Sequence, residues 1–216
     1  MEYYMAPNPK LQPYIAEAKN NRAGKEYIHK FGVPFMYKRK ISPGQLVPVV
    51  ARSPYGAVKG YPFVWGWGQM RDTTRWDIAA TNPLLEEAWQ RRRCVIPASW
   101  YYEYKHIGRP DGGYHQTDRY VIQTAGKSIT WLAGLYNIVE KEGVHIPAFT
   151  ILRTDASEDV AELWKELPVV LSTADANLWT APDANPEMLV RGCEVHFAVE
   201  KDDQEDEPLR PEEYWE

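Results

Sequence analysis

The chain has 216 residues and a mass of 25.0 kDa, enough for one large or two small domains that bury about 70% of their unfolded surface without staples. Its mean hydropathy is −0.54, and no apolar run approaches the ~18 residues of a membrane-spanning helix. Two distant cysteines, Cys94 and Cys193, build neither a disulfide framework nor a zinc quartet, so a reduced compartment is expected and no metal or other cofactor. The start, Met1-Glu2-Tyr3-Tyr4-Met5, has no basic and apolar leader pattern, which makes a cytoplasmic address the expectation.

The formal charge of −5 is unevenly spread. Residues 200 to 216 hold nine acids against two bases, a charge of −7, which leaves residues 1–199 at +2. The division expected is therefore a single domain over 1–199 and an acidic tail over 200–216, the tail acting as a solubilising end or as a mimic of nucleic acid. A faintly basic body falls short of a dedicated duplex binder. It permits a phosphate groove made from Lys38-Arg39-Lys40 and Arg91-Arg92-Arg93, and equally permits plain solvated faces.

In chain order, Leu11, Tyr14, Ile15 and Ala18 fall at helical spacing within residues 9 to 20. Leu46 to Val50 follows a Ser42-Pro43-Gly44 turn, and its internal Pro48 suggests an edge or bulged strand. A strand at Phe63 to Trp67 comes next. Asn82-Pro83 then opens a helix, with Glu86 and Glu87 early and Arg91 to Arg93 late to complement the macrodipole. Cys94–Ile96, Trp100–Tyr104, Tyr120–Thr124, Ile129–Leu135 and Phe149–Leu152 are rich in β-branched and aromatic residues and read as strands. Val160, Leu163 and Trp164 suggest a helix from Ser157 to Glu166, and Ser172 caps a further one. Six or seven strands with helices around them indicate an α+β fold with one mainly antiparallel sheet system.

Phosphate-loop, zinc-protease and nucleophile-elbow patterns are absent. The five histidines, at 29, 106, 115, 145 and 196, are scattered without metal-ligand spacing. Nine tryptophans and fourteen tyrosines supply a core, a platform for unpaired bases, or one for sugars. Strand alternation sends Tyr101 and Glu103 to one face of Trp100–Tyr104, setting a carboxylate among aromatic rings, where partial desolvation suits a general acid or base. A solvent-facing strand glutamate is the plain alternative.

Several segments together resemble the SOS response-associated peptidase (SRAP) family, whose members process abasic sites in single-stranded DNA. Ile41-Ser42-Pro43-Gly44-Gln45 with Val47-Pro48-Val49-Val50 is similar to the family's turn and strand. Val64-Trp65-Gly66-Trp67 resembles its tryptophan-glycine segment, and Arg91-Arg92-Arg93-Cys94-Val95-Ile96-Pro97-Ala98 its arginine-rich run. Tyr102-Glu103-Tyr104 looks like the element that carries the catalytic glutamate. Ala133-Gly134-Leu135-Tyr136, Phe149-Thr150-Ile151-Leu152 and Leu167-Pro168-Val169-Val170-Leu171 follow in the family's order.

The resemblance implies a barrel-like fold, a monomer, and a groove for single-stranded abasic DNA lined by Trp65, Trp67, Arg75, Pro43 and Glu103. It also implies peptidase (hydrolase) and abasic-site lyase chemistry: an N-terminal amine attacks the opened sugar's aldehyde, and a cysteine at position 2 closes the Schiff base as a thiazolidine. Here position 2 is Glu2, so that ring cannot form. Thr73 stands in the family's asparagine position and Trp164 in its histidine position, leaving Glu103 from the catalytic group and Met1, expected to be retained before a large residue, as the amine. Two outcomes follow, a noncovalent DNA binder or a Schiff-base former. The rival from another class is a carbohydrate-binding or partner-binding module that uses the aromatic surface.

Overall fold

The computed structural model describes residues 1–66, 71–108, 114–158 and 160–203. The chain begins with β1 (Glu2–Tyr4), a 3-10 turn (Pro9–Leu11), α1 (Gln12–Asn20), α2 (Arg22–Phe31) and β2 (Lys40–Ile41). It continues through β3 (Leu46–Arg52), β4 (Val58–Trp65), β5 (Thr73–Arg75), α3 (Trp76–Thr81), α4 (Glu86–Arg91), β6 (Arg93–Ala98), β7 (Trp100–Gly108) and β8 (Tyr114–Thr124). β9 (Thr130–Lys141), β10 (Val144–Asp155), β11 (Glu166–Pro168), β12 (Val170–Leu171), α5 (Thr173–Trp179), α6 (Pro186–Arg191) and β13 (Phe197–Asp202) complete it.

Five strands close on themselves in the order β10-β4-β3-β6-β9, because β9 and β10 also pair. Closure removes the sheet edges that an open sheet would have to protect. Every pairing in the ring is antiparallel except β10 with β4. The second sheet, β13-β8-β7-β1-β2, is antiparallel throughout. Tyr3, Tyr101 and Ile122 from its inner face pack with Trp65, Phe63, Phe149 and Ile96 of the barrel in one buried cluster. Trp89, Trp179, Ala79 and Leu171 form a second cluster under the helices. The architecture is thus the α+β, mainly antiparallel barrel with peripheral helices.

Local chemistry explains where the helices sit. α1 lies so close to β4 that a Cβ on Gly60 would come within 1.9 Å of the Tyr14 carbonyl oxygen, and the Gly60 amide donates to Glu17 at 2.8 Å. Ser172 caps α5 by accepting from the Asp175 amide at 3.1 Å. α4 carries Glu86 and Glu87 in its first turn and Arg91 in its last, as the charge pattern indicates. Among the described residues, no helix is long and apolar enough to cross a membrane.

Three expectations change. Pro48 lies on an interior strand rather than an edge: it opposes Pro62 of β4, while β3 meets β6 only at Val50 and Ala51, so no ladder bond to β6 is asked of the proline. The helix expected over Ser157–Glu166 is a set of turns. Val160 and Leu163 donate to carbonyls three residues back, Trp164 is buried, and the chain must be extended by Glu166 to join β10 as β11. Arg91 to Arg93 is no basic patch, since Arg92 bonds Glu87 and Asn137 and Arg93 is buried. The Arg93 guanidinium donates to the carbonyls of Trp179 (2.7 Å), Trp89 (2.8 Å), Gln90 (2.6 Å) and Ala181, which satisfies the C-terminal carbonyls of α4 and α5 at once.

Arg93→Ala strands those carbonyls in the interior. It is expected to cost about 3 kcal/mol or more in urea unfolding, with Arg93→Lys recovering only part because an ammonium lacks the planar fork.

Candidate functional site

β1 is laid between β2 and β7 with Glu2 opposite Tyr102, Tyr3 opposite Tyr101 and Tyr4 opposite Trp100. Met1 and Glu103 are the next residues along the two strands beyond the Glu2–Tyr102 pair. Strand alternation puts Glu103 on the same face of β7 as Tyr101, and Met1 packs against the buried cluster that holds Tyr101. Glu103 is 5% exposed, not solvent-facing. Its neighbours across β8 and beyond are Tyr120 and Trp164, whose ring meets Tyr120 edge-on at 5.2 Å.

The residue that accounts for a buried carboxylate is Arg153, on β10 of the barrel. Its Nη1 donates to Glu103 Oε1 at 2.7 Å, and its Nη2 to the Glu166 carbonyl at 2.6 Å. The sequence reading missed Arg153, although it stands directly after Phe149-Thr150-Ile151-Leu152, because the pairing depends on how the two sheets face. Parallel register then places Arg75 of β5 opposite Arg153. Two adjacent guanidiniums need anions between them. Arg75 is held by Asp77 (Nε 3.0 Å, Nη2 2.9 Å), Asp155 (2.7 Å) and Glu166 (2.8 Å), and Arg153 Nε also lies 3.8 Å from Glu166. The chain Glu103–Arg153–Glu166–Arg75–Asp77/Asp155 therefore sets four carboxylates against two guanidiniums. These hydrogen bonds, Asp77 first, raise the proton affinity of Arg75 still further, and Arg75 holds the Asp77 carboxyl below the usual range.

The other expected residues are dispersed. Trp65 is fully buried, donates to the Asp72 carbonyl at 2.9 Å, and packs on Tyr3 and Phe149, so it offers no face to a base; a packed core claims it. Trp67 lies outside the described residues. Pro43 is exposed in the turn before β3, next to Gly44, whose φ of +89° suits glycine. Thr73 is half-buried opposite Ile151. Trp164 is 6% exposed and spends its indole N–H on the Tyr104 carbonyl at 3.1 Å. Glu2 accepts from Ser42 Oγ at 2.6 Å and lies 3.5 Å from Lys40 Nζ.

Among the described tryptophans, Trp65, Trp89, Trp164 and Trp179 are buried and Trp76, Trp100 and Trp131 half-buried. Among the described residues, no group of three or more His, Cys, Asp or Glu is arranged to hold a metal ion.

Two outcomes test this geometry. Arg153→Met leaves Glu103 buried without a cation and is expected to cost about 3 kcal/mol, whereas the pair Arg153→Met/Glu103→Gln recovers much of that loss; chemical denaturation of the four proteins closes the cycle. Because Asp77 is depressed in the folded state, its contribution is present above its unfolded value of about 3.9 and is lost as pH falls through the lower folded value. Asp77→Asn is expected to flatten that part of the stability curve below about pH 4, read by thermal melts.

Comparison with known proteins agrees with this architecture. The family described as SOS response associated peptidase (SRAP) matches residues 17–201. No curated protein matches the sequence. A protein from Bacteroides thetaiotaomicron superposes with a TM-score of 0.67 at 15% identity, over 93% of this chain and 90% of that one. A protein from Bordetella bronchiseptica gives 0.64 at 14% identity, over 94% and 99%. A phage-related protein from the same organism gives 0.66 at 18%, over 95% and 94%. At such identities the structures speak for the fold, and the family match over most of the sequence supplies the rest: the chain belongs to the SOS response-associated peptidase family, a family associated with the response to DNA damage.

Proposed function

We propose that this protein binds single-stranded DNA at abasic sites and that the Met1 amine forms a reversible Schiff base with the opened sugar. The observation that supports the reading is the β1–β7 register, whose Glu2–Tyr102 pair is followed by Met1 on one strand and by the buried Glu103 on the other. The amine lone pair attacks the aldehyde carbon, the carbonyl electrons pass to oxygen, and the carbinolamine expels water to leave an imine. Glu103 is the group to move the proton in that dehydration, held in place by Arg153.

The departures from the family set the limits of this chemistry. Glu2 supplies no thiol, so the imine remains open to hydrolysis, or to loss of a C2′ proton with cleavage of the C3′–O bond. Trp164 has no acid–base function to replace a histidine. Slow, reversible adduct formation is thus the activity this site supports, in place of a stable crosslink.

Borohydride adds hydride to the imine and fixes it as a secondary amine. With a single-stranded abasic oligonucleotide at neutral pH, the intact protein is expected to yield an adduct that peptide mass spectrometry places on Met1. Glu103→Gln is expected to slow trapping at least tenfold, within the range of general acid–base effects of ~10²–10⁴. No adduct, or one on a lysine, overturns the reading.

A further inference from the structure

Six large apolar side chains are exposed among the described residues, and four of them belong to the helical layer: Ile78 on α3, Leu84 just before α4, Leu178 on α5 and Met188 on α6. These helices cover the cluster of Trp89 and Trp179. α3 packs on α4 and α5 on α6, and the Arg93 guanidinium ties the C-terminal ends of α4 and α5 together. Leu84 stands out most, at 86% exposed. Its backbone is fixed, because its amide donates to Asn82 Oδ1 at 3.0 Å and the next amide, of Leu85, donates to the Asn82 carbonyl at 2.9 Å. The turn sends Leu85 into the core and holds Leu84 out in water. An apolar side chain held in place by its backbone loses little further freedom on contact, which suits it to an interface.

Beside Leu84 runs an open groove of about 950 Å³, lined by the outer face of α4 and by Pro182 and Asp183 from the loop after α5. It holds three acids, Glu86, Glu87 and Asp183, and one base, Arg91. Neighbouring cations settle two of the acids. Glu87 is bonded by Arg92 at 2.7 Å, and Asp183 lies near the buried Arg93, where burial lowers the proton affinity of the guanidinium and the Asp183 charge opposes that shift. Glu86 at the start of α4 and Arg91 at its end are exposed, and neither has an ion-pair partner among the described residues. A basic partner would meet Arg91 and an acidic one Glu86. A second copy of α4 running the opposite way matches both, since a two-fold axis brings the Glu86 end of each helix to the Arg91 end of the other.

We propose that this helical layer is an interface between two copies of the chain, with α4 against α4 about a two-fold axis, Leu84 of each copy seated in the groove of the other, and Glu86 of each at Arg91 of the other. Ile78, Leu178 and Met188 add apolar area around that contact, where a standard interface covers about 800 Å² on each partner. The helices rest on a different buried cluster from the one that Met1 packs against, so the pairing does not depend on the Schiff-base chemistry proposed above.

The test is sedimentation velocity of the full chain, from low micromolar to several hundred micromolar protein. The mass is expected to rise with concentration toward twice the 25.0 kDa of one chain and to stop there. Leu84→Asp is expected to weaken the association about tenfold or more, because it sets a charge in each groove. Glu86→Arg and Arg91→Glu each bring like charges together at two symmetry-related places and are expected to weaken it to a similar degree, whereas Glu86→Arg/Arg91→Glu restores association close to that of the parent. All of these positions are exposed, and circular dichroism melts verify that the variants remain folded. Tyr55→Asp, at a position 98% exposed in the turn between β3 and β4, is expected to associate like the parent. A parent that keeps the mass of one chain throughout, growth beyond two copies, single reversals that associate like the parent, a double reversal no better than the singles, or equal loss in the Tyr55→Asp control overturns the proposal.

Discussion

The buried ion pair between Glu103 and Arg153 joins the two sheets at the place where the chain begins. Glu103 belongs to the open sheet and Arg153 to the barrel, so the Glu103 carboxylate loses this cation unless the sheets are correctly faced. A pair of this sort adds little net stability over apolar packing, since both ions lose water on burial. Its consequence is specificity of arrangement: misdocking leaves a charge in the interior. Tyr3, Tyr101 and Trp65 supply apolar burial at the same seam, and the ion pair selects the arrangement in which that burial occurs.

From this pair the remaining features of the site follow. Arg153 is opposed by Arg75 through a short parallel pairing, and the repulsion is relieved by Glu166 and Asp155, themselves opposed across β10 and β11. The lattice is therefore a consequence of register. It leaves Arg75 committed to carboxylates, which alters how an arginine in that position contributes. Strength in this region comes from charge compensation.

Glu2 and Trp164 are each satisfied within the protein itself. The Glu2 carboxylate is tied to Ser42 and Lys40, and the Trp164 indole N–H donates to the Tyr104 carbonyl. Neither polar group is left to be satisfied by a ligand, whereas the Glu103 carboxylate is buried and paired with Arg153.

Much of this was legible in the chain by itself, because local physics writes it there. Runs of β-branched and aromatic residues gave seven of the strands, β3, β4 and β6 to β10, and not the six others; Ser172 and the Glu86/Arg91 polarity gave two helices, and alternation put Tyr101 and Glu103 on a common face. The Ser157–Glu166 segment was misread since its apolar spacing reflects the separate anchoring of Val160 and Trp164, a tertiary demand that imitates a helical period. α2 was overlooked although Asn21 caps its start and Gly32, at φ +63°, closes it, and α3, six residues without a side-chain cap, is too short to show a period. Arg153, Glu166 and the neutralised Arg75 could not be read at all: they are brought together by a parallel register and by the facing of two sheets, which no local pattern encodes. Composition and periodicity thus determined the α+β class, the core and the carboxylate at 103, whereas only the tertiary structure decided which charges neutralise one another, since that depends on long-range pairing distances rather than on neighbours along the chain.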